Sequence, residues 1–250
     1  MHGSTQVFDD IDSLQDALVG HWQKIARESI ADHGAFHVVL AGGGTPRDFY
    51  NRLTQGDTKD SVPWDRVHIY FGDERCVPQD HVDSNFRMAR EALFSKVSIP
   101  ASQIHAMVIP SLSPEQNAAR YAELLDQQLL KDVNGHPVFD LVLLGMGGDG
   151  HTASLFPDTE ILHEDKKWVA AQFVDKLSAW RISLTYPTLN AAHHVAVLVV
   201  GESKAEMFSE LAKSSSNDTR YPIQGIKPQG DLQWFLDKSA TCLVVGDVKS

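Results

Sequence analysis

Short apolar runs end in glycine-rich turns, and each turn opens a helical pattern; no other feature of this chain narrows its fold as much. Residues 37–41 (His-Val-Val-Leu-Ala) lead into Gly42-Gly43-Gly44, and a helix is expected from about Pro46. Residues 67–71 (Val-His-Ile-Tyr-Phe) form the next expected strand, with a helix after Ser84-Asn85 and another from about Pro114 to Lys131. Residues 139–144 run into a second glycine-rich turn, strands are expected near 168–173, 180–184 and 194–200, and a helix follows from about Ser203. A last strand is expected at 242–245, and 214–230 reads as a surface excursion. Continuously apolar strands are those buried on both faces, and strand–helix alternation builds βαβ units. The expected fold is therefore α/β, a three-layer, mostly parallel, doubly wound, Rossmann-like sheet. No repeat, linker or composition break divides residues 1–250, so a single domain is expected.

The rest of the chain excludes several classes of function. With 250 residues the chain can bury a large core without metals or disulfides. Lys and Arg number 22 against 33 Asp and Glu, a net charge of -11, which disfavours nucleic acid and anionic membranes as partners. The apolar runs are too short to span a bilayer. The two cysteines, Cys76 and Cys242, make neither a disulfide framework nor a zinc ligand set. With no secretory pattern near the first residues, the cytoplasm is the expected compartment, and a monomer is expected. Residues 2–4 are set apart as a candidate cloning remnant.

In an open α/β sheet the ligand sits beyond the C-terminal ends of the strands, and the chemistry-bearing residues fall there. Gly42-Gly43-Gly44-Thr45-Pro46 follows one strand and opens a helix, where free N–H groups and the helix dipole favour an anion such as phosphate. A plain tight turn is the competing reading. Gly72-Asp73-Glu74-Arg75 follows the next strand: Arg75 suits an anion or a polarised carbonyl oxygen, whereas an exposed turn with an internal ion pair explains the same residues without chemistry. Asp83-Ser84-Asn85 supply helix caps.

The densest stretch is Leu144 to Pro157, with Gly145, Gly147, Gly148 and Gly150 ahead of His151. A helix is expected to start there, and its dipole would favour the neutral imidazole that a general base requires. Asp149 either orients that ring or shapes the loop. His193-His194 read as structural. Arg181 begins a strand, and Lys204 stands at a helix start, a locally unfavourable place for a cation that a bound anion would offset.

Taken together, these residues resemble the glucosamine-6-phosphate isomerase/6-phosphogluconolactonase family, lactonase branch. The similarity rests on Gly42 to Pro46, Asp73-Glu74-Arg75 with Ser84-Asn85, Gly145 to Pro157, Arg181 with Ile182 to Thr185, Gly201 with Lys204, and the segments Tyr221 to Gln224 and Gly230 to Asp237. The Gly145–Pro157 block is its most specific part. The resemblance implies the sugar-phosphate isomerase/deaminase type of fold, hydrolysis of 6-phosphoglucono-δ-lactone to 6-phosphogluconate in the oxidative pentose phosphate pathway, a small sugar-phosphate lactone as substrate, and no cofactor or metal. It implies His151, Asp149 and Arg75 as catalytic residues and Gly42, Gly43, Gly44, Thr45, Arg181 and Lys204 at the phosphate. Asp73, Glu74 and Gly147 are further candidate contacts.

Two rivals remain at this stage. Deaminases of this fold usually carry Tyr where Arg75 stands and an Asn-Glu-Pro ending where this chain has Ser154-Leu155-Phe156-Pro157. The second rival is a sugar-phosphate-binding regulator without catalysis.

Overall fold

The computed structural model describes residues 2–214 and 220–244. In chain order its elements are β1 (Ser4–Phe8), α1 (Ile11–His33), β2 (Phe36–Leu40), α2 (Gly44–Leu53), α3 (Gly56–Ser61), β3 (Val67–Phe71), β4 (Asp73–Arg75), α4 (Asn85–Ala89), α5 (Pro114–Gln128), β5 (Leu141–Gly145), β6 (Val169–Val174), β7 (Ala179–Leu184), α6 (Tyr186–Asn190), β8 (His194–Val199), α7 (Ala205–Lys213), β9 (Asp231–Asp237) and α8 (Lys238–Thr241). Six strands pair in the order β1-β9-β8-β5-β2-β3, all parallel. A second, antiparallel sheet has the order β4-β7-β6.

Alternation of side chains along each strand divides the interior into two cores. Val195, Val197 and Val199 of β8 point to one face with Val39, Val142 and Trp234, where α5, α7 and the second sheet cover them. Ala196 and Leu198 point to the other with Val38, Leu40 and Phe71, under α1, α2 and α4. This is the expected three-layer arrangement. The helix α1 fits it by spacing: Leu14, Leu18, Trp22 and Ile25 recur at a helical period and are buried. Each contributes roughly 1.5–3 kcal/mol by leaving water. Asp10 caps its first turn through the Ser13 N–H at 2.8 Å, and Gly34 ends it at a φ of 87°. A capping box between Ser113 and Gln116, with Pro114 in the first turn, starts α5.

Several expectations are corrected. Residues 2–4 are part of the fold: Trp234 Nε1 donates to the His2 carbonyl at 2.9 Å, and Ser4 pairs with Gln233. Among the described residues the last strand is β9; Asp237 accepts the Ala240 N–H at 2.9 Å, which starts α8 and turns the chain off the sheet. Residues 242–244 form no strand, and 245 lies outside the described residues. The strands near 168–173 and 180–184 do not join the parallel sheet but fold back as the β6–β7 hairpin. The excursion expected at 214–230 is a docked segment where it is described, with Pro222, Ile223, Gln224 and Ile226 buried; residues 215–219 lie outside the described residues. α5 ends at Gln128, short of Lys131, because Leu129 turns extended and Lys131 bridges to Pro137.

From β2 the chain passes to β3 on one side, then crosses back to β5 on the other. The order therefore reverses between β2 and β5, and the loops leaving those two strands splay apart there. A crevice opens at such a switch point beyond the carboxyl ends of the strands.

Candidate active site

A cleft of about 300 Å³ occupies this switch point, with Gly42 and Gly43 on one wall and Gly145 to Gly148 on the other. Asp73, Arg75, Asn85, His151 and Lys204 are its polar and charged side chains. The end of β2 is clamped by the buried Tyr50, whose hydroxyl lies 2.9 Å from both the N–H and the carbonyl of Ala41. Gly43 turns the chain into α2 at a φ of 104°, a conformation that favours glycine. Gly42 is small for a different reason: a Cβ there would lie 2.2 Å from Asn85 Oδ1. Gly44 and Thr45 begin α2 just outside the lining, so of the expected phosphate loop the backbone of Gly42 and Gly43 faces the cleft.

The opposite wall holds the histidine. A Cβ on Gly147 would meet His151 Nδ1 at 2.0 Å, so the imidazole lies in the space that glycine leaves open. The Gly147 N–H donates to the His151 carbonyl at 2.8 Å, and Thr152 Oγ1 to the Gly145 carbonyl at 2.8 Å, closing the loop on itself. No helix follows His151, contrary to expectation. Ala153 takes a φ of 47°, Thr152 bridges to Leu155, and Ser154 Oγ donates to Asp73 Oδ2 at 2.5 Å, geometry that a helix cannot accommodate. No helix dipole therefore acts on the ring, and Asp149 is its partner.

Asp149 Oδ1 lies 2.5 Å from His151 Nδ1 and 3.2 Å from the His151 N–H. Its Oδ2 pairs with Lys176 Nζ. Burial alone would raise the Asp149 carboxyl, but the bonds from Lys176 and His151 outweigh it and hold the group well below the usual carboxylate range. An ionised carboxylate only accepts hydrogen bonds, so the ring donates from Nδ1, and in the neutral imidazole the lone pair is then at Nε2. That is the tautomer of a general base, and it follows from contacts rather than from a dipole. The Phe156 ring packs on the imidazole with centroids 4.4 Å apart.

The remaining candidates divide by position. Arg75 lines the cleft and donates to the Asp83 carbonyl. Lys204 lines it from the start of α7, beyond Gly201, whose N–H is held by Asp237 Oδ1 at 2.9 Å. Arg181 pairs with Arg75 across β4 and β7 but faces a neighbouring cavity with Cys76 and Trp180, and it does not line this cleft. Burial and the nearby Arg75 charge lower its guanidinium. Glu74 is 2% exposed and fully engaged: its carboxylate accepts the N–H groups of Arg75, Asn85 and Phe86 at 2.8 Å each, and the Ser84 hydroxyl at 3.1 Å. It caps α4 from inside, and burial raises its carboxyl despite those donors. Asp73 reaches the cleft while accepting from Ser154 and Asn85.

Sequence reasoning assigned Asn85 a capping role only, and it missed Lys176 and Gln172, which arrive on the β6–β7 hairpin and have no local signal in the chain. Tyr221 was also missed at this site; it packs where a Cβ on Gly150 would lie, at 3.0 Å, while Ile223 N–H donates to the Gly150 carbonyl at 2.9 Å. Among the described residues no group of three or more His, Cys, Asp or Glu is arranged to hold a metal ion.

Residues 9–234 match the model of the family described as glucosamine-6-phosphate isomerases/6-phosphogluconolactonase. A 6-phosphogluconolactonase of Nostoc is 40% identical over 212 residues, covering 85% of this chain and 86% of its own. One from Synechocystis is 38% identical over 227 residues, covering 91% and 92%. The solved structure of 6-phosphogluconolactonase from Trypanosoma brucei superposes with a TM-score of 0.80 at 29% identity, covering 98% of this chain and 99% of that one. With the switch-point cleft and its histidine, these matches establish that the chain is a member of the glucosamine-6-phosphate isomerase/6-phosphogluconolactonase family.

Proposed function

We propose that this chain hydrolyses 6-phosphoglucono-δ-lactone to 6-phosphogluconate, the second step of the oxidative pentose phosphate pathway, with His151 as the general base. The observation that carries the base assignment is the Asp149–His151 pair, 2.5 Å apart at Nδ1, with the imidazole in the lining of the cleft. The lactone's phosphate lies against the Gly42–Gly43 backbone and Lys204, whose charge at the start of α7 is offset by the anion. His151 Nε2 takes a proton from water as the water oxygen bonds to the lactone carbonyl carbon. The carbonyl π pair moves onto its oxygen, giving a tetrahedral oxyanion. Its collapse breaks the bond to the ring oxygen, and protonated His151 returns the proton to that leaving oxygen. The N–H groups of Gly147 and Gly150 are engaged within the loop, to the carbonyls of His151 and Gly147. That leaves Arg75 and the other loop amides to stabilise the oxyanion. Each step uses protein groups and water.

The reading takes the chain as one domain acting as a cytoplasmic monomer. The two free cysteines are compatible with a reducing compartment, and among the described residues no helix is long and apolar enough to cross a membrane. Incubation with freshly prepared lactone, with spontaneous opening subtracted, and separately with glucosamine 6-phosphate tests it. The expected result is rapid lactone opening and no ammonia. Ammonia release without lactone hydrolysis would move the chain to the deaminase branch, and saturable binding without turnover of either compound to the regulator reading.

A further inference from the structure

We infer that Lys176 is a positioning residue for the base: from the tip of the β6–β7 hairpin it fixes Asp149, and Asp149 in turn fixes His151. The inference rests on the reading of His151 as the base and extends the site to a sheet that carries none of the glycine loops.

The two oxygens of Asp149 are divided between two partners. Oδ1 serves the His151 ring and backbone, and Oδ2 serves Lys176 Nζ. Rotation of the carboxylate therefore breaks both contacts together. Lys176 Nζ also stands 4.4 Å from the centroid of Phe156, the ring that packs on the imidazole. One ammonium thus touches both groups that support the base.

The hairpin is built to deliver that side chain. Val174 and Ala179 are its last pair, Asp175–Leu177 form a single 3-10 turn, and Ser178 closes the turn at a φ of 48° with its N–H on the Asp175 carbonyl at 3.0 Å. Farther along the same hairpin, Gln172 Nε2 donates to the Ser154 carbonyl. The hairpin is therefore tied to the catalytic loop on both sides of His151, at residues 149 and 154.

Stability gives a poor account of this pair. The Lys176 side chain is 48% exposed and Asp149 37%, and ion pairs so exposed contribute little to folding. Orientation of an imidazole is a steeper function of position, since displacement by about 1 Å can cost about a hundredfold in rate.

The test compares the wild type with Lys176→Met, which keeps the apolar stem and removes the charge, with Lys176→Arg, with Asp149→Asn, and with the double variant that combines Lys176→Met and Asp149→Asn. Lactone hydrolysis gives kcat and KM, and nitrogen and proton NMR of the histidines in the resting protein reads the Nδ1 proton of His151. Lys176→Met is expected to keep the melting temperature and KM, to lower kcat by about ten- to a hundredfold, and to weaken or remove the downfield Nδ1 proton. Lys176→Arg should restore most of both. In the Asp149→Asn background the loss from Lys176→Met should largely vanish, because the two act through one chain of contacts. A wild-type kcat with an unchanged Nδ1 resonance in Lys176→Met overturns the inference, as does an equal further loss in the Asp149→Asn background. If the wild type fails to open the lactone, the functional reading falls, and the NMR comparison still decides whether Lys176 positions His151.

Discussion

Gly147→Ala probes the base without touching its chemistry. The added methyl would stand 2.0 Å from His151 Nδ1 and 2.1 Å from Cε1, whereas ordinary contact begins at 3.4 Å. The ring must therefore retreat by about 1.4 Å, which takes Nδ1 out of reach of Asp149 Oδ1 or tilts Nε2 away from the attacking water. Displacement on that scale costs about a hundredfold or more, and the ceiling is the whole contribution of a general base, about ten-thousandfold. The ring's displacement costs folding about 1–3 kcal/mol, partly offset by the backbone. Gly147 does not need a left-handed φ, so alanine fits its backbone, and the stiffer unfolded chain contributes about 0.4–1 kcal/mol in favour of the variant. The assay is kcat and KM for freshly prepared lactone, beside a thermal melt followed by circular dichroism. The expected outcome is a kcat lowered by about a hundredfold or more in a protein that still melts cooperatively. A kcat within about threefold of wild type, in a folded variant, would refute the placement of the imidazole over Gly147.

Two further outcomes follow from other parts of the molecule. Lys204→Ala should raise KM for the lactone by about tenfold or more, the loss of one charged hydrogen bond to phosphate, with kcat less affected; steady-state kinetics at fixed ionic strength checks this. The far end of the sheet should make the fold acid-sensitive. Burial pushes His37 down to about 3, and His105 and His21 to about 4, with neighbouring imidazoles reinforcing it. His37, His68 and His105 lie ring against ring beside Tyr70, next to the His33–Asp140 pair at 2.9 Å. Their unfolded counterparts titrate near about 6.5, so stability is fully present above that pH. As pH falls from about 6.5 toward about 4 the unfolded chain binds protons that the native state excludes, and each group removes up to about 1.4 kcal/mol per pH unit. Urea midpoints between pH 7 and pH 5 should fall accordingly, and less steeply in His105→Gln; a flat profile would contradict the burial of neutral imidazoles.

The legible part of the fold was the part with strong local contrast. β2, β3, β5 and β8 are mainly apolar runs that lead into glycine, and their C-terminal ends carry the cleft, so both glycine loops and His151 were readable in sequence. β1 was not: Ser-Thr-Gln-Val-Phe is a short edge strand whose register comes only from pairing with β9. The 242–245 stretch looks more like a strand than β9 does, but the Asp237 cap turns the chain off the sheet before the described residues 242–244. The expected helix at His151 failed because Ser154 is spent on Asp73 of β4 and Ala153 is left-handed. Glu74, a candidate contact in the sequence, is consumed by capping α4, and Arg181, which the resemblance implied at the phosphate, lines the next cavity. Lys176 and Tyr221 reach the site from segments distant in the chain, and no pattern near either residue signals that contact.

The central claim is that His151, held by Asp149, activates water in the switch-point cleft. The measurement that tests it most directly is kcat of His151→Ala on freshly prepared 6-phosphoglucono-δ-lactone, with spontaneous opening subtracted and KM determined in the same series. The account predicts a kcat reduced by at least about a hundredfold in a protein that still folds and still binds the substrate. A kcat close to wild type would contradict it and would place the base elsewhere in the cleft.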